Sequence, residues 1–211
     1  MVTVSVTIEK DTASPALLTL RQAITPERLA PIFGRSVSNT VRSHFDELEQ
    51  SRPNKLGGER QHYYSGARQS TSFVVDGDVA TVAVRQVGIR LRYFGGDVTA
   101  GVNTSSVTNA PTKYLTIPVT AEAYGHRAAD FPDLVVVWGP NGPFGLARVT
   151  KGSLANGEKG STEKWDILFM LVKKVTIEAD ETMLPSGGEM SDQVRSDFNS
   201  YINLLWRRYS Q

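Results

Sequence analysis

The chain of 211 residues has no cysteine, so disulfides, thiolate metal ligands and a cysteine nucleophile are excluded, while the redox compartment stays open. It has almost no net charge. The 23 Lys and Arg against 22 Asp and Glu leave +1 at pH 7, and no bulk field favours nucleic acid or an anionic membrane. Its longest apolar run, Ile167 to Val172, falls far short of the roughly 20 residues a membrane-crossing helix needs. The first residues, Met1-Val-Thr-Val-Ser-Val-Thr-Ile-Glu-Lys, have no basic stretch ahead of a long apolar one, so no signal peptide is expected and the cytoplasm is the expected compartment.

Reaction chemistry is equally sparse. His44, His62 and His126 are scattered and form neither HExxH nor a paired-ligand spacing. Gly139 to Gly145 is glycine-rich but holds Pro140 and Pro143 with no Lys-Ser or Lys-Thr after it, and Lys151-Gly152-Ser153 runs in the wrong order for a phosphate loop. No Gly-x-Ser-x-Gly elbow occurs. The sequence predicts no cofactor, no metal and no catalytic residue.

What is present is 40% hydrophobic and 21% charged, the balance of a globular protein, and its length suits a single domain over residues 1–211. Val2, Val4, Val6 and Ile8 alternate with polar residues as in a half-buried strand, and a turn-like stretch with Ser14-Pro15 follows. Thr25-Pro26 suits a helix start, after which Leu29, Phe33, Val37, Val41, Phe45 and Leu48 form one apolar stripe on a helix ending near Gln50. Pro31 lies inside it, which predicts a kink or a helix beginning at Pro31. Ser51 to Arg68 reads as a polar connection.

Phe73 to Val75, Asp76-Gly77 and Val79 to Val84 carry the strongest hairpin pattern in the chain. Further strands are predicted at Val87 to Phe94 and at Tyr114 to Val119, the latter at a sheet edge because Pro118 cannot donate to a ladder. Ala121 to Ala129 suits a short helix and Leu134 to Trp138 a short buried strand, with Trp138 and Trp165 as core residues. Leu146 to Thr150 returns the chain, and residues 151 to 164 read as a mobile Gly/Lys loop. Trp165 to Ile177 reads as a long strand interrupted at Lys173-Lys174. A last helix begins at Ser191-Asp192, with Val194, Phe198, Ile202, Leu205 and Tyr209 as its stripe. The expected fold is α+β: an antiparallel sheet packed against a long helix in the N-terminal half and a C-terminal helix, with long polar loops.

The centre of that layout is the run from Val87 to Val119. Ile89, Leu91 and Tyr93 alternate with Arg90 and Arg92, so an extended segment would be apolar on one face and cationic on the other, with Arg85 nearby. Phe94 then meets Gly95-Gly96, where the backbone can turn through positive φ, and Asp97 opens a polar loop to residue 113. Such a loop, held at both ends, suits docking onto another protein. Arg90, Arg92, Tyr93, Phe94, Gly95, Gly96 and Asp97 are the candidate interface residues. Two other readings stand beside this one: a small hydrolase using His62 with carboxylates, and a nucleic-acid-binding module using the Arg90/Arg92 face.

Several segments occur in a familiar order: Phe-Gly-Arg-Ser-Val-x-Asn-x-Val-Arg-x-His-Phe (Phe33 to Phe45), a valine-rich hairpin, Tyr93-Phe94-Gly95-Gly96, Lys113-Tyr-Leu-Thr-Ile-Pro-Val with Ala121-Glu-Ala, and Leu171-Val-Lys-Lys-Val-Thr-Ile. Over residues 20 to 185 the chain resembles the phage virion-morphogenesis proteins of the tail-completion type found in Mu-like phages and prophages. The individual motifs are short, and their order and spacing carry the resemblance. Two departures stand out: Glu178 replaces the family's proline after the last strand, and the Gly/Lys stretch 151–164 looks inserted. The resemblance implies a non-enzymatic assembly protein at the head–tail junction, made in the host cytoplasm and kept in the virion. Its partners would be connector and tail proteins, with further copies forming a ring, and no membrane or specific nucleic acid. The stretches 97–113 and 151–164 would be its docking elements.

Overall fold

A computed structural model of the chain describes residues 13–52, 56–57, 61–101, 112–153 and 161–209. The predicted strand Val2–Ile8 and most of the loop 97–113 lie outside the described residues. The fold is α+β, with helices and antiparallel sheets. The chain divides into two compact units: residues 1–48, 64–89 and 182–211 form one, and residues 49–63 and 90–181 the other.

The first unit holds the C-terminal helix and, up to Leu48, the long helix of the N-terminal half. Helix α1 (Ala13–Ala23) covers the stretch read as a turn at Ser14-Pro15; a proline costs little so near a helix start. Helix α2 (Pro26–Ser51) begins at Pro26, with Arg28 and Leu29 both donating to the Thr25 carbonyl, and continues through Pro31. Pro31 lies in the second turn and forfeits one backbone hydrogen bond, too little to end a helix with twenty further residues to pack.

The predicted stripe is the core: Val41, Phe45 and Leu48 are buried with Ala67, and Val37, Tyr64, Val84, Ile89, Leu184 and Met190 pack around them. Ala67 belongs to α3 (Tyr63–Ser70), a helix where a polar connection was expected. Its eight residues bury one alanine, too little apolar content to show a period. Strands β1 (Thr71–Asp76) and β2 (Val79–Val84) form the predicted hairpin, and Asp76 pairs with Val79 around Gly77 at φ +59°. Helix α5 (Gly187–Tyr209) starts before the expected Ser191. Ser186 and Glu189 explain this: the Ser186 hydroxyl accepts from Glu189 N–H, and the Glu189 carboxylate accepts from Ser186 N–H at 2.7 Å, a capping box. Leu205 is buried, and Phe198 meets Phe33 edge-on at 6.1 Å.

The second unit carries the short helix α4 (Ile89–Phe94) after its first residue and two sheets. Strand β3 (Gly96–Thr99) pairs with β8 (Lys174–Ile177). Strands β4 (Leu115–Pro118), β5 (Leu134–Gly139), β6 (Gly142–Ser153) and β7 (Ser161–Val172) form one antiparallel sheet in the order β4-β7-β6-β5. Pro118 does sit on an edge strand. Ala123, Leu168 and Phe169 are buried there, with Phe131, Leu134 and Leu146 packed on them.

Four expectations for residues 121–165 need correction. Where the mobile loop 151–164 was expected, β6 and β7 continue their ladder to Ser153↔Ser161, because the strand-favouring Val149, Thr150 and Trp165 lead into it; residues 154–160 lie outside the described ones. The Ala121–Ala129 segment is a run of turns closed by a 3₁₀ turn at Ala128–Asp130, not an α-helix. Strand β5 is an edge rather than a buried strand. Trp138 and Trp165 are 71% and 50% exposed instead of core, since a strand covered on one face at most leaves alternate residues outside.

Candidate functional site

The stretch Val87–Phe94 is not a strand. Gly88 at φ +78° and Gly95 at φ +71° bracket it, and Ile89–Phe94 form the short helix α4 between them. Six residues are too few for alternation to outweigh Leu and Arg, both good helix formers, once glycines stop the chain at each end. The correction removes the cationic face. Arg90 and Arg92 are about 200° apart around a helix axis, not side by side as on a strand. Arg92 lies over the Tyr63 ring with its guanidinium carbon 4.0 Å from the centroid. Its carbonyl accepts from Asp180 N–H at 2.9 Å, and the Asp180 carboxylate pairs with Arg52 at 2.6 Å.

Tyr93 and Phe94 meet edge-on at 4.9 Å, and Phe94 is left 69% exposed. The glycine turn is where the sequence placed it. A Cβ on Gly95 would stand 2.8 Å from Ala179 N and 2.9 Å from the Ile177 carbonyl oxygen, so only glycine lets the two backbones approach, and Gly96 follows at φ +145°. Asp97 then faces Thr176 in the ladder and takes the Thr176 hydroxyl at 2.7 Å and Lys174 Nζ at 2.7 Å. Lys174 first, then Thr176, hold its carboxyl below the usual carboxylate range. All of Arg90 to Asp97 thus lie in the second unit, around one turn, with Arg90 and Phe94 outward and Arg92 and Asp97 engaged.

The histidines have separate partners. His62 Nδ1 is 3.0 Å from Glu49 Oε1, and His62 has φ +51°, the one positive φ outside glycine among the described residues. His44 Nε2–H donates to the Thr182 carbonyl at 3.0 Å. His126 stands 4.0 Å from Asp130. Among the described residues no three His, Asp or Glu side chains cluster as metal ligands. In the first unit an open groove of about 650 Å³ runs between α2 and the start of α5, lined by His44, Glu47, Glu189, Asp192 and Asp197 among others. The Ser186 cap holds the Glu189 carboxyl below its usual range.

Sequence reasoning missed the Glu122–Arg148–Asp133 cluster, in which Arg148 reaches Glu122 at 2.8 Å and also bonds Asp133, whose carboxyl it holds low. No local spacing signals it, because the partners come from a turn, a strand start and the middle of β6. No helix among the described residues is long and apolar enough to cross a membrane. No protein-family model, curated protein or solved structure matches the chain.

Proposed function

We propose that the chain is a non-enzymatic assembly protein of a phage or prophage, acting at the head–tail junction to join or finish the tail. Its neighbours are connector and tail proteins and, in the particle, further copies of itself. One observation supports this reading most. Three of the segments that carry the resemblance, far apart in sequence, meet in ladders: Gly96, which closes the Tyr-Phe-Gly-Gly turn, opens the strand that pairs with Lys174–Ile177, and Leu115–Pro118 pairs with Phe169–Val172. That pairing is what a shared fold would require of these segments. The exposed Phe94 on a turn braced by Gly95, Asp97 and Lys174 fits a docking point, since aromatic anchors carry much of the energy at protein interfaces.

Deleting the gene from the genome that encodes it tests the proposal. Unjoined heads and tails should accumulate, seen by electron microscopy, and joining should return when the chain is supplied in trans. Finished particles at the normal yield would overturn it. The hydrolase reading draws on the His62–Glu49 contact. Alanine at His62, His44 and His126 separates the two, because an assembly protein keeps its joining activity in all three variants.

A further inference from the structure

We infer that strand β5 is a self-pairing edge: two copies of the chain join antiparallel through Leu134–Gly139, turning two four-stranded sheets into one of eight. This goes beyond the assembly reading and does not depend on it. The sheet has two ends, and they differ. At one end β4 closes with Pro118, which has no N–H to offer a further strand. At the other, β5 reads Leu-Val-Val-Val-Trp-Gly, with no charge and no proline, and β6 is its one ladder partner among the described residues. The single device there that discourages pairing is the register shift between Val137 and Trp138.

An edge of this kind recognises an extended backbone, and the side chains say which. In an antiparallel pair related by a two-fold axis, one residue must face its own copy. With Val136 on the axis, Val135 meets the partner's Val137, and Trp138 meets the partner's Leu134. The exposed Val135, Val136 and Trp138 each then gain an apolar cross-strand neighbour. Asp133, just before the strand, falls opposite the partner's Gly139, so no like charges meet. Moving the axis to Val135 sets Asp133 against a valine; moving it to Val137 sets Leu134 against Pro140. Val136 is the position that matches apolar to apolar throughout. A six-residue strand covers less than the roughly 1,200 Å² of a stable specific interface, so the pair forms reversibly with concentration.

Because the chain has no cysteine, the geometry can be read with one. Facing residues in an antiparallel pair have Cα atoms about 4.5–5.5 Å apart, inside the disulfide range of about 4.4–6.8 Å. Val136→Cys should yield a covalent dimer under mild oxidation, while Thr116→Cys on the β4 edge stays monomeric. Sedimentation of the unaltered chain should show mass rising toward twice the monomer with concentration, and Val136→Lys should abolish the rise. Circular dichroism checks that each variant is folded. A chain that stays monomeric at every concentration, an edge occupied by some other strand, equal cross-linking from Thr116→Cys, or a dimer that survives Val136→Lys overturns the inference.

Discussion

Thr176 donates its hydroxyl to Asp97 across the β3–β8 ladder at 2.7 Å, and Lys174, two residues before it on the same strand, reaches the other carboxylate oxygen. The glycine turn therefore leads into a strand pinned by a charged, hydrogen-bonded pair, close to the exposed Phe94. The pinning depends on Asp97 being ionised. Its carboxyl is held below the ordinary value of 3.8, so the folded form binds this proton less readily than the unfolded one. The contribution is present above the unfolded value and is lost as pH falls through the lowered folded value. Urea midpoints of the parent and of Asp97→Asn should differ at neutral pH, begin to draw together as pH falls to about 4, and meet only below the lowered folded value. A gap that persists unchanged in acid would refute this assignment.

Gly34 lies inside α2 with its missing Cβ aimed at the hairpin, 2.7 Å from Phe73 Cδ2 and 2.9 Å from Ala80 Cβ. Glycine costs a helix about 1 kcal/mol against alanine, so its presence reflects close packing. Gly34→Val should destabilise by about 1–3 kcal/mol despite its better helix propensity, because the β1–β2 ribbon must move away. Denaturant unfolding measures this, and a stabilised variant would show that the hairpin yields freely.

How much was legible follows from how much surface each segment buries. Helix α2 could be read because Val41, Phe45 and Leu48 repeat at helical spacing, and the β1–β2 hairpin because Gly77 sits between valine runs. Helix α3 could not, since Ala67 is its one buried residue, nor α4, since six residues satisfy two periods at once. At the candidate site the glycine turn was visible, because Gly95-Gly96 stands between an aromatic pair and a polar stretch, where glycine takes positive φ without strain. The partners of Arg92 and Asp97 were not: Tyr63 and Lys174 come from distant segments, and only the folded chain brings them together. The cap at Ser186 and Glu189 was readable as Ser-x-x-Glu, but the apolar stripe further on drew the helix start to Ser191.

That cap gives a prediction of its own. Ser186→Ala removes the acceptor for Glu189 N–H and half of the reciprocal pair, which should cost about 1 kcal/mol. Hydrogen exchange localises the effect: protection should fall in the first turn of α5 and stay unchanged near Leu205. Uniform loss along the helix would indicate a packing role instead.

Phe45 is fully buried on the central stripe of α2. Phe45→Ala leaves a cavity among Val41, Leu48 and Ala67 and should cost about 3–5 kcal/mol. That is a large share of the total stability of most domains, so the variant should melt far below the parent in calorimetry. A loss under 1 kcal/mol would mean that the helix collapses onto the gap and that this core is loosely packed.

Gly95 offers the sharpest separation of folding from function. At φ +71° a side chain is strained, and its Cβ would press within 3 Å of the Ala179 nitrogen and the Ile177 oxygen, both backbone atoms with nowhere to go. Gly95→Ala should therefore cost more than the roughly 1 kcal/mol of a positive-φ alanine alone, and should do so by opening the β3–β8 ladder. Amide exchange at Val175 and Ile177 should accelerate while the β1–β2 amides keep their protection. If the turn presents Phe94 to a virion neighbour, this variant should remain folded yet restore tail joining poorly, as should Phe94→Ser, which leaves the ladder intact. Full joining by both variants would remove the Phe-Gly-Gly turn from the docking surface.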